Sequence, residues 1–364
     1  MEIIDEVLSD VSLEYPLENI APLNEILFID IETTGFSART ANLYLIGCLY
    51  YDNGWKTKQF FAQTYSEEQE ILNEFFSFAK GFKTLIHYNG NNFDIPFILG
   101  KCKEHSLEYS FDDFTGIDIY RRISPYKTFL KLESCKQKVV EAFLDIKRED
   151  EFTGGDLIGL YHEYVKTKDY DLRKFLLLHN FEDVKGMLEL LPILAYCDLF
   201  SSKLTVTKVS ANYYEDESGA TNSEIIMLFE FPVKIKKPVS FLYDKCYISL
   251  SDNQGMLKVP LYDEEMRYFY ANYKDYYYLP AEDIALHKSV SSFVSKENRE
   301  QAKAENCYTR KHSKFLPEWD ALVTPFFKRN YSSKELFFEL TDERRTDREL
   351  FSQYATHVLE HMVI

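Results

Sequence analysis

At 364 residues, 45% of them hydrophobic and 16% aromatic, the chain has material for two cores of ordinary size, which excludes an intrinsically disordered protein. Its net charge of −17 excludes a uniformly basic nucleic-acid coat. No run of 18 apolar residues occurs and the opening "MEIIDEVLSD" is acidic, so a soluble, cytoplasmic protein without membrane association is expected.

Residues 1–25 read as a polar N-terminal leader with Pro16 and Pro22. "EILFIDIET" then has apolar residues on both faces, the pattern of a central, doubly covered strand. Two strand-like runs follow around Asp52-Asn53-Gly54, a hairpin turn signal. A helix is expected next, with Ser66 and Gln69 as a capping box and Ile71, Leu72, Phe75, Phe76 and Ala79 at helical spacing. "TLIHYN" is a further strand, a helix starts after Asp94, and "TGIDIY" is a strand or turn. Helices are expected at about 134–144, opened by Ser134 and Gln137, near 156–167, and from Asp171 to about Leu191. Three hairpin-linked strands followed by alternating helices and strands give an α/β, ribonuclease-H-like mixed sheet with flanking helices, placed at 26–200. From 201 to 364 the expectation is a smaller C-terminal α+β domain, strand-rich at first and helical from about 281. The six cysteines stand far apart without a C-x-x-C pair, so reduced thiols are expected.

Residues two apart on a strand share a face, so Asp30 and Glu32 project together from an apolar run, where unpaired carboxylates are costly. Asp94 lies past a Gly/Asn loop, at a strand-to-helix edge where open sheets bind ligands. His179 and Asp183, four residues apart, share one helical face. Taken singly, these have bland readings: a solvated strand end, a helix N-cap, a His–Asp pair on a wet face. Together, four acids converging on one sheet edge can hold two divalent metals, the arrangement that activates water for attack on a phosphodiester. The Thr33-Thr34-Gly35 turn lets backbone approach a ligand, which puts Thr33 on the substrate side.

The segments "DIETTG", "NGNNFD" and "HNFED" resemble the three exonuclease motifs of the DEDD superfamily of 3′-to-5′ exonucleases. "YNGNNFDIPFI" is similar to the second motif of the proofreading domains of family B DNA polymerases, and residues 131–165 resemble bacterial ribonuclease-H-like proteins of the YprB type. The resemblance spans roughly residues 26–196. It implies Asp30, Glu32, Asp94 and Asp183 as ligands of two Mg²⁺ or Mn²⁺ ions, and the third-motif residue, His179, as the group that positions or deprotonates water. Here the chain departs from the family pattern. Its His179 stands at the spacing of the tyrosine-bearing members, whereas histidine-bearing ones place it one residue further away, about 100° round the helix. General base and orienter therefore both stay open for His179. Asn89 falls on the second-motif asparagine, fixing the loop or touching the substrate backbone, and Phe93 either wedges against a base or packs in the core.

The window 121–138 holds six basic residues against Glu133 alone, and Arg121 and Arg122 at its start are candidate phosphate contacts. A solvated helix face accounts for the same window. In the C-terminal half, "NYKDYYYLP" and the basic stretch after it suit either a single-strand groove or tyrosine-rich core strands. The function expected is a metal-dependent 3′-to-5′ exonuclease acting on single-stranded DNA or RNA ends. Alternatives are a ribonuclease-H-type endonuclease, a non-catalytic nucleic-acid-binding protein, and an acidic module for a basic protein partner.

Overall fold

The computed structural model describes residues 1–9, 13–150, 152–215 and 217–363. The chain divides into two compact units, Met1–Asp198 and Leu199–Ile364.

The first unit is built on a six-stranded mixed sheet: β1 (Glu2–Val7), β2 (Ile26–Thr33), β3 (Leu43–Tyr51), β4 (Trp55–Phe61), β5 (Thr84–His87) and β6 (Thr115–Asp118), in the order β1-β4-β3-β2-β5-β6. β1 to β4 pair antiparallel with their neighbours, while β5 and β6 run parallel to β2. Asn53 takes a left-handed conformation (φ 51°) at the hairpin between β3 and β4, and Gly54 follows at φ 143°. Ile26, Leu27, Phe28, Ile29 and Ile31 of β2 are all buried, as a central strand requires.

Helices α1 (Glu68–Ala79), α2 (Asp94–Glu104), α3 (Ile119–Ile123), α4 (Gln137–Phe143), α5 (Gly154–Thr167) and α6 (Tyr170–Glu189) flank the sheet, and the unit boundary falls within α7 (Leu194–Ser201). The core joins Leu43, Leu45 and Phe61 of the sheet to Ile71 and Phe75 of α1, Ile98 of α2, Tyr161 of α5 and Leu176 of α6. Tyr44 and Tyr161 stack at 3.9 Å between ring centroids.

Several expectations need correction. Residues 2–7, expected in a polar leader, form the edge strand β1, whose half-buried Glu2 and exposed Asp5 and Glu6 suit an edge and disguise it as a solvated segment. Ser66 does not cap α1: it lies in a 3-10 turn, and the helix begins at Glu68 without a side-chain cap. α4 starts at Gln137, not at Ser134, whose hydroxyl accepts from the nearby Lys136 N–H. α5 starts two residues early, where Thr153 and Asp156 make the capping box.

The second unit holds β7 (Thr205–Glu215), β8 (Thr221–Glu230), β9 (Val239–Tyr243), β10 (Cys246–Ser251) and β11 (Gln254–Pro260) in one antiparallel sheet, ordered β7-β8-β11-β10-β9. β12 (Tyr262–Phe269), β13 (Tyr276–Leu279), β14 (Ile284–His287), β15 (Glu300–Gln301), β16 (Tyr308–Glu318), β17 (Phe326–Phe327) and β18 (Leu336–Glu339) follow. They form two further sheets, β12-β16-β18-β17 and β14-β13-β15. The helical stretch expected from about 281 is therefore mostly strand and turn. "KENREQAKAE" has helix-forming composition, yet cross-strand pairing of Glu300 and Gln301 with Tyr278 and Tyr277 prevails over propensity. Among the described residues, α-helices return at α8 (Asp342–Arg345) and α9 (Arg348–Met362). All six cysteines are free and buried.

Candidate active site

Asp30, Glu32, Thr33, Asn89, Phe93, Asp94, His179 and Asp183 all line one cavity of about 440 Å³, at the edge where β2 ends and the β5–α2 loop begins. Asp30 and Glu32 reach it from one strand face, and a β-bulge between Glu32 and Thr33 ends the regular register there. Thr33 Oγ1 donates to Gly35 O at 2.8 Å, closing the turn that leads away.

Asp30 is held by a residue that sequence reasoning missed. Asn180, fully buried, donates through Nδ2 to Asp30 Oδ2 (2.9 Å) and accepts from Gln59 Nε2 (2.9 Å), which also donates to Leu177 O. The side chain fits only because position 47 lacks a Cβ, which would stand 2.1 Å from Asn180 Oδ1.

Asp94 is the first residue of α2, not its cap, and its Oδ1 accepts from Ile31 N–H at 3.2 Å, tying the helix to β2 between the two strand acids. The loop before it is fixed by Asp118. The carboxylate of Asp118 accepts from Asn89 N–H (2.9 Å), more weakly from Asn91 N–H (3.4 Å), and caps α3 at Arg121 N–H. Asn89 is left-handed (φ 62°) and its Oδ1 accepts from Asn92 Nδ2, so it shapes the loop as well as lining the cavity. Phe93 packs on Phe97 at 5.6 Å and still borders the cavity.

On α6, His179 Nε2 lies 3.3 Å from Asp183 Oδ2 and 3.7 Å from Glu32 Oε1. Its Nδ1 faces Asp150 Oδ2 at 2.7 Å; with Nδ1 as donor to that carboxylate, Nε2 is the atom turned to the acids. Asp150 also accepts from Lys138 Nζ (3.0 Å). The loop carrying Asp150 is pinned by Glu182, whose two oxygens accept from Glu149 and Asp150 N–H at 2.8 Å each. Arg148, from the same loop, bonds both Asp183 Oδ1 and the Glu141 carboxylate, and Glu141 lies against Gly186, where a Cβ would come within 2.3 Å of its Oε1.

Burial, followed by the charges of Asp183, Asp94 and Glu32, pushes the Asp30 carboxyl well above its ordinary range. Burial and the charges of Asp183, Asp94 and Asp150 do the same to Glu32. Asp94 is pushed up to about 7, again chiefly by burial. Burial also raises Asp150, but the hydrogen bond from Lys138 and the nearby His179 outweigh it and hold that carboxyl low. Among the described residues neither Asp30 nor Asp94 has an ion pair, and Arg148 is the one guanidinium bonded to any of the four cavity acids. Buried carboxyls that resist ionisation would be stabilised as anions by a cation placed among them. The donors fit hard divalent ions: oxygens with one imidazole, the ligand atoms of Glu32, His179 and Asp183 all lying within 4.8 Å of one another.

Arg121 and Arg122 do not line the cavity: both are exposed on α3, and Arg122 faces Asp198 at 3.8 Å. Sequence reasoning also missed Phe36, 88% exposed on the cavity rim, and Gly154 and Gly155, which open α5 at the same rim. Phe36, six residues past Asp30, had the signal of an apolar side chain in a turn; Asp150 and Asn180 had none, because loop and tertiary contacts define them.

Residues 27–195 match the sequence profile of the RNase_H superfamily, and the first unit is a ribonuclease-H-like domain in fold. No curated protein matches the chain. Among solved structures, the chain is similar to the family B DNA polymerase of the archaeon Pyrobaculum calidifontis, with 15% identity over 69% of this chain and 35% of that one, at a TM-score of 0.39. It is also similar to Escherichia coli exonuclease I in a zinc-ion-bound complex with single-stranded DNA, with 11% identity over 56% and 54% of the two chains, at a TM-score of 0.34. A product-bound exonuclease I gives 12% identity, 62% and 58% coverage, and a TM-score of 0.34. The chain thus spans about a third to three fifths of the length of these proteins. Among the described residues no helix is long and apolar enough to cross a membrane.

Proposed function

We propose that the first unit is a metal-dependent 3′-to-5′ exonuclease of the DEDD superfamily, of the YprB type, acting on single-stranded nucleic acid ends. The observation that carries this is the gathering of Asp30, Glu32, Asp94 and Asp183 with His179 around one cavity, with three of the acids driven toward the neutral form. These four carboxylates would hold two divalent cations, Mg²⁺ or Mn²⁺. Such ions supply Lewis acidity for in-line attack of water on a phosphodiester.

The chain's own residues do the rest. Asn180 and Ile31 N–H orient Asp30 and Asp94, so the acids are aimed before any ligand arrives. His179, anchored by Asp150, presents Nε2 to orient the attacking water or take its proton. Phe36, Tyr88 and Phe93 offer flat faces at the cavity for a terminal base, and Thr33 and Asn89 lie where the sugar-phosphate backbone would pass. Arg121 and Arg122, outside the cavity, suit a phosphate further along the strand.

The test is a time course on 5′- and 3′-labelled DNA and RNA oligonucleotides with Mg²⁺, Mn²⁺ or EDTA. Stepwise shortening from the 3′ end, silent in EDTA, is expected. Cuts in a circular single strand, or activity without metal, would overturn the reading.

A further inference from the structure

The second unit carries its own groove, of about 290 Å³, lined by Phe269, Tyr270, Tyr273, Phe326, Tyr331 and Lys328, with Ala271 and Ala304 as its small residues. That is at the lower end of ligand-cavity size. Five aromatic rings and one cation line it, and no carboxylate among the described residues does, in a chain whose net charge is −17.

Tyrosine-rich core strands do not account for these rings. Across residues 266–280 only Met266 and Leu279 are buried, while the seven aromatic side chains of that stretch are all partly exposed. Other rings nearby already have cations over them: Arg299 lies 4.7 Å and Lys288 5.2 Å from Tyr277, and Arg267 lies 5.0 Å from Tyr308. Among the described residues, no cation lies over the groove rings. Phe269 meets Tyr331 edge-on at 5.4 Å, and one face of Tyr270 stacks on Tyr276 at 4.5 Å, so these three groove rings are held by ring contacts. Lys328 forms no ion pair among the described residues, nor do the exposed Lys274 and Lys303 beside Tyr273 and Ala304.

Aromatic faces with unpaired ammonium groups and no acid in the lining match a ligand that is flat, apolar on its faces and anionic along its edge. We propose that this groove is a second binding site for single-stranded nucleic acid, in which an unpaired base stacks on Tyr331 and its neighbours and Lys328 meets the adjoining phosphate. The inference rests on the exonuclease reading only in naming a single strand as the occupant.

The experiment is titration of the full chain, in EDTA so that no cleavage occurs, with a fluorescent oligothymidylate, its abasic counterpart of equal charge, and a blunt duplex. Tyr331→Ala should weaken oligothymidylate binding about 10-fold, as loss of one stacking platform does, and should leave abasic binding unchanged. Lys328→Glu should weaken both oligonucleotides and lower the salt dependence of binding. Circular dichroism and thermal melting confirm that each variant is folded, and Tyr331→Phe, which keeps the ring, should bind like the parent. Oligothymidylate affinity unmoved by Tyr331→Ala and Lys328→Glu, or duplex bound as tightly as the single strand, would overturn the proposal. Groove-dependent binding by a chain that cleaves nothing in Mg²⁺ or Mn²⁺ would instead sink the exonuclease reading and leave this site standing.

Discussion

Asp94→Asn should make the metal-free protein more stable at pH 8 and leave it nearly unchanged at pH 4. Asp94 is 5% exposed, and its carboxyl is pushed from 3.8 to about 7, first by burial. Between those values the folded state keeps a proton that the unfolded state has lost, so stability falls as pH rises through the window and levels off above it. At about 1.4 kcal/mol per pH unit, the loss amounts to ~4 kcal/mol for the native acid. Asparagine escapes that loss and still offers an acceptor oxygen to Ile31 N–H. For a unit of this size ~4 kcal/mol corresponds to a melting shift of roughly 8–16 °C, an upper bound because relaxation and water entry soften the penalty. The assay is calorimetry of both proteins in EDTA at pH 4, 6 and 8, repeated at pH 8 with Mg²⁺. Magnesium should raise the parent's melting point at pH 8 and move the variant much less. An Asp94→Asn protein no more stable than the parent at pH 8 in EDTA would refute the claim that this carboxylate is ionised at a cost.

Asp183→Asn should leave less than a tenth of the parent's hydrolysis in Mn²⁺ with the fold intact, measured on a 3′-labelled oligonucleotide; more than that, roughly 1.4 kcal/mol of barrier, would remove it from the site. Asp150→Asn, which loosens the anchor on His179, should lower kcat about 10- to 100-fold, and a kcat within twofold of the parent would show that the anchor is not needed. Gly47→Ala puts a methyl against Asn180, so it should destabilise the chain by ~1–3 kcal/mol in urea titration and lower activity. Adding Asn180→Ala should restore part of the stability and none of the activity.

The parts of this protein that could be read in advance are those set by short-range periodicity. Asp30 and Glu32 share a face because strand geometry repeats every two residues, and His179 and Asp183 meet because a helix repeats near four. The strand β1 was hidden because three of its six residues are acidic and its Ile3 and Val7 are themselves exposed, so its pairing with β4 leaves no apolar alternation. Asp150 and Arg148 were hidden for another reason: they lie in a loop whose course is set by Glu182 and Glu141 rather than by its own residues. Residues 296–305 misled because their helical propensity is real and their strand pairing is tertiary.

Glu182 and Asp183 are chemically near twins, adjacent in sequence, yet one holds a loop by its backbone and the other faces the cavity. One step along a helix turns a side chain by about 100°, so the two acids address different neighbours and cannot trade duties. Making Glu182→Asp and Asp183→Glu together would alter neither composition, charge nor hydropathy, and any score that treats acid for acid as conservative would pass the swap. Identity at this point of the chain is carried by order alone, at a resolution of one residue and one methylene.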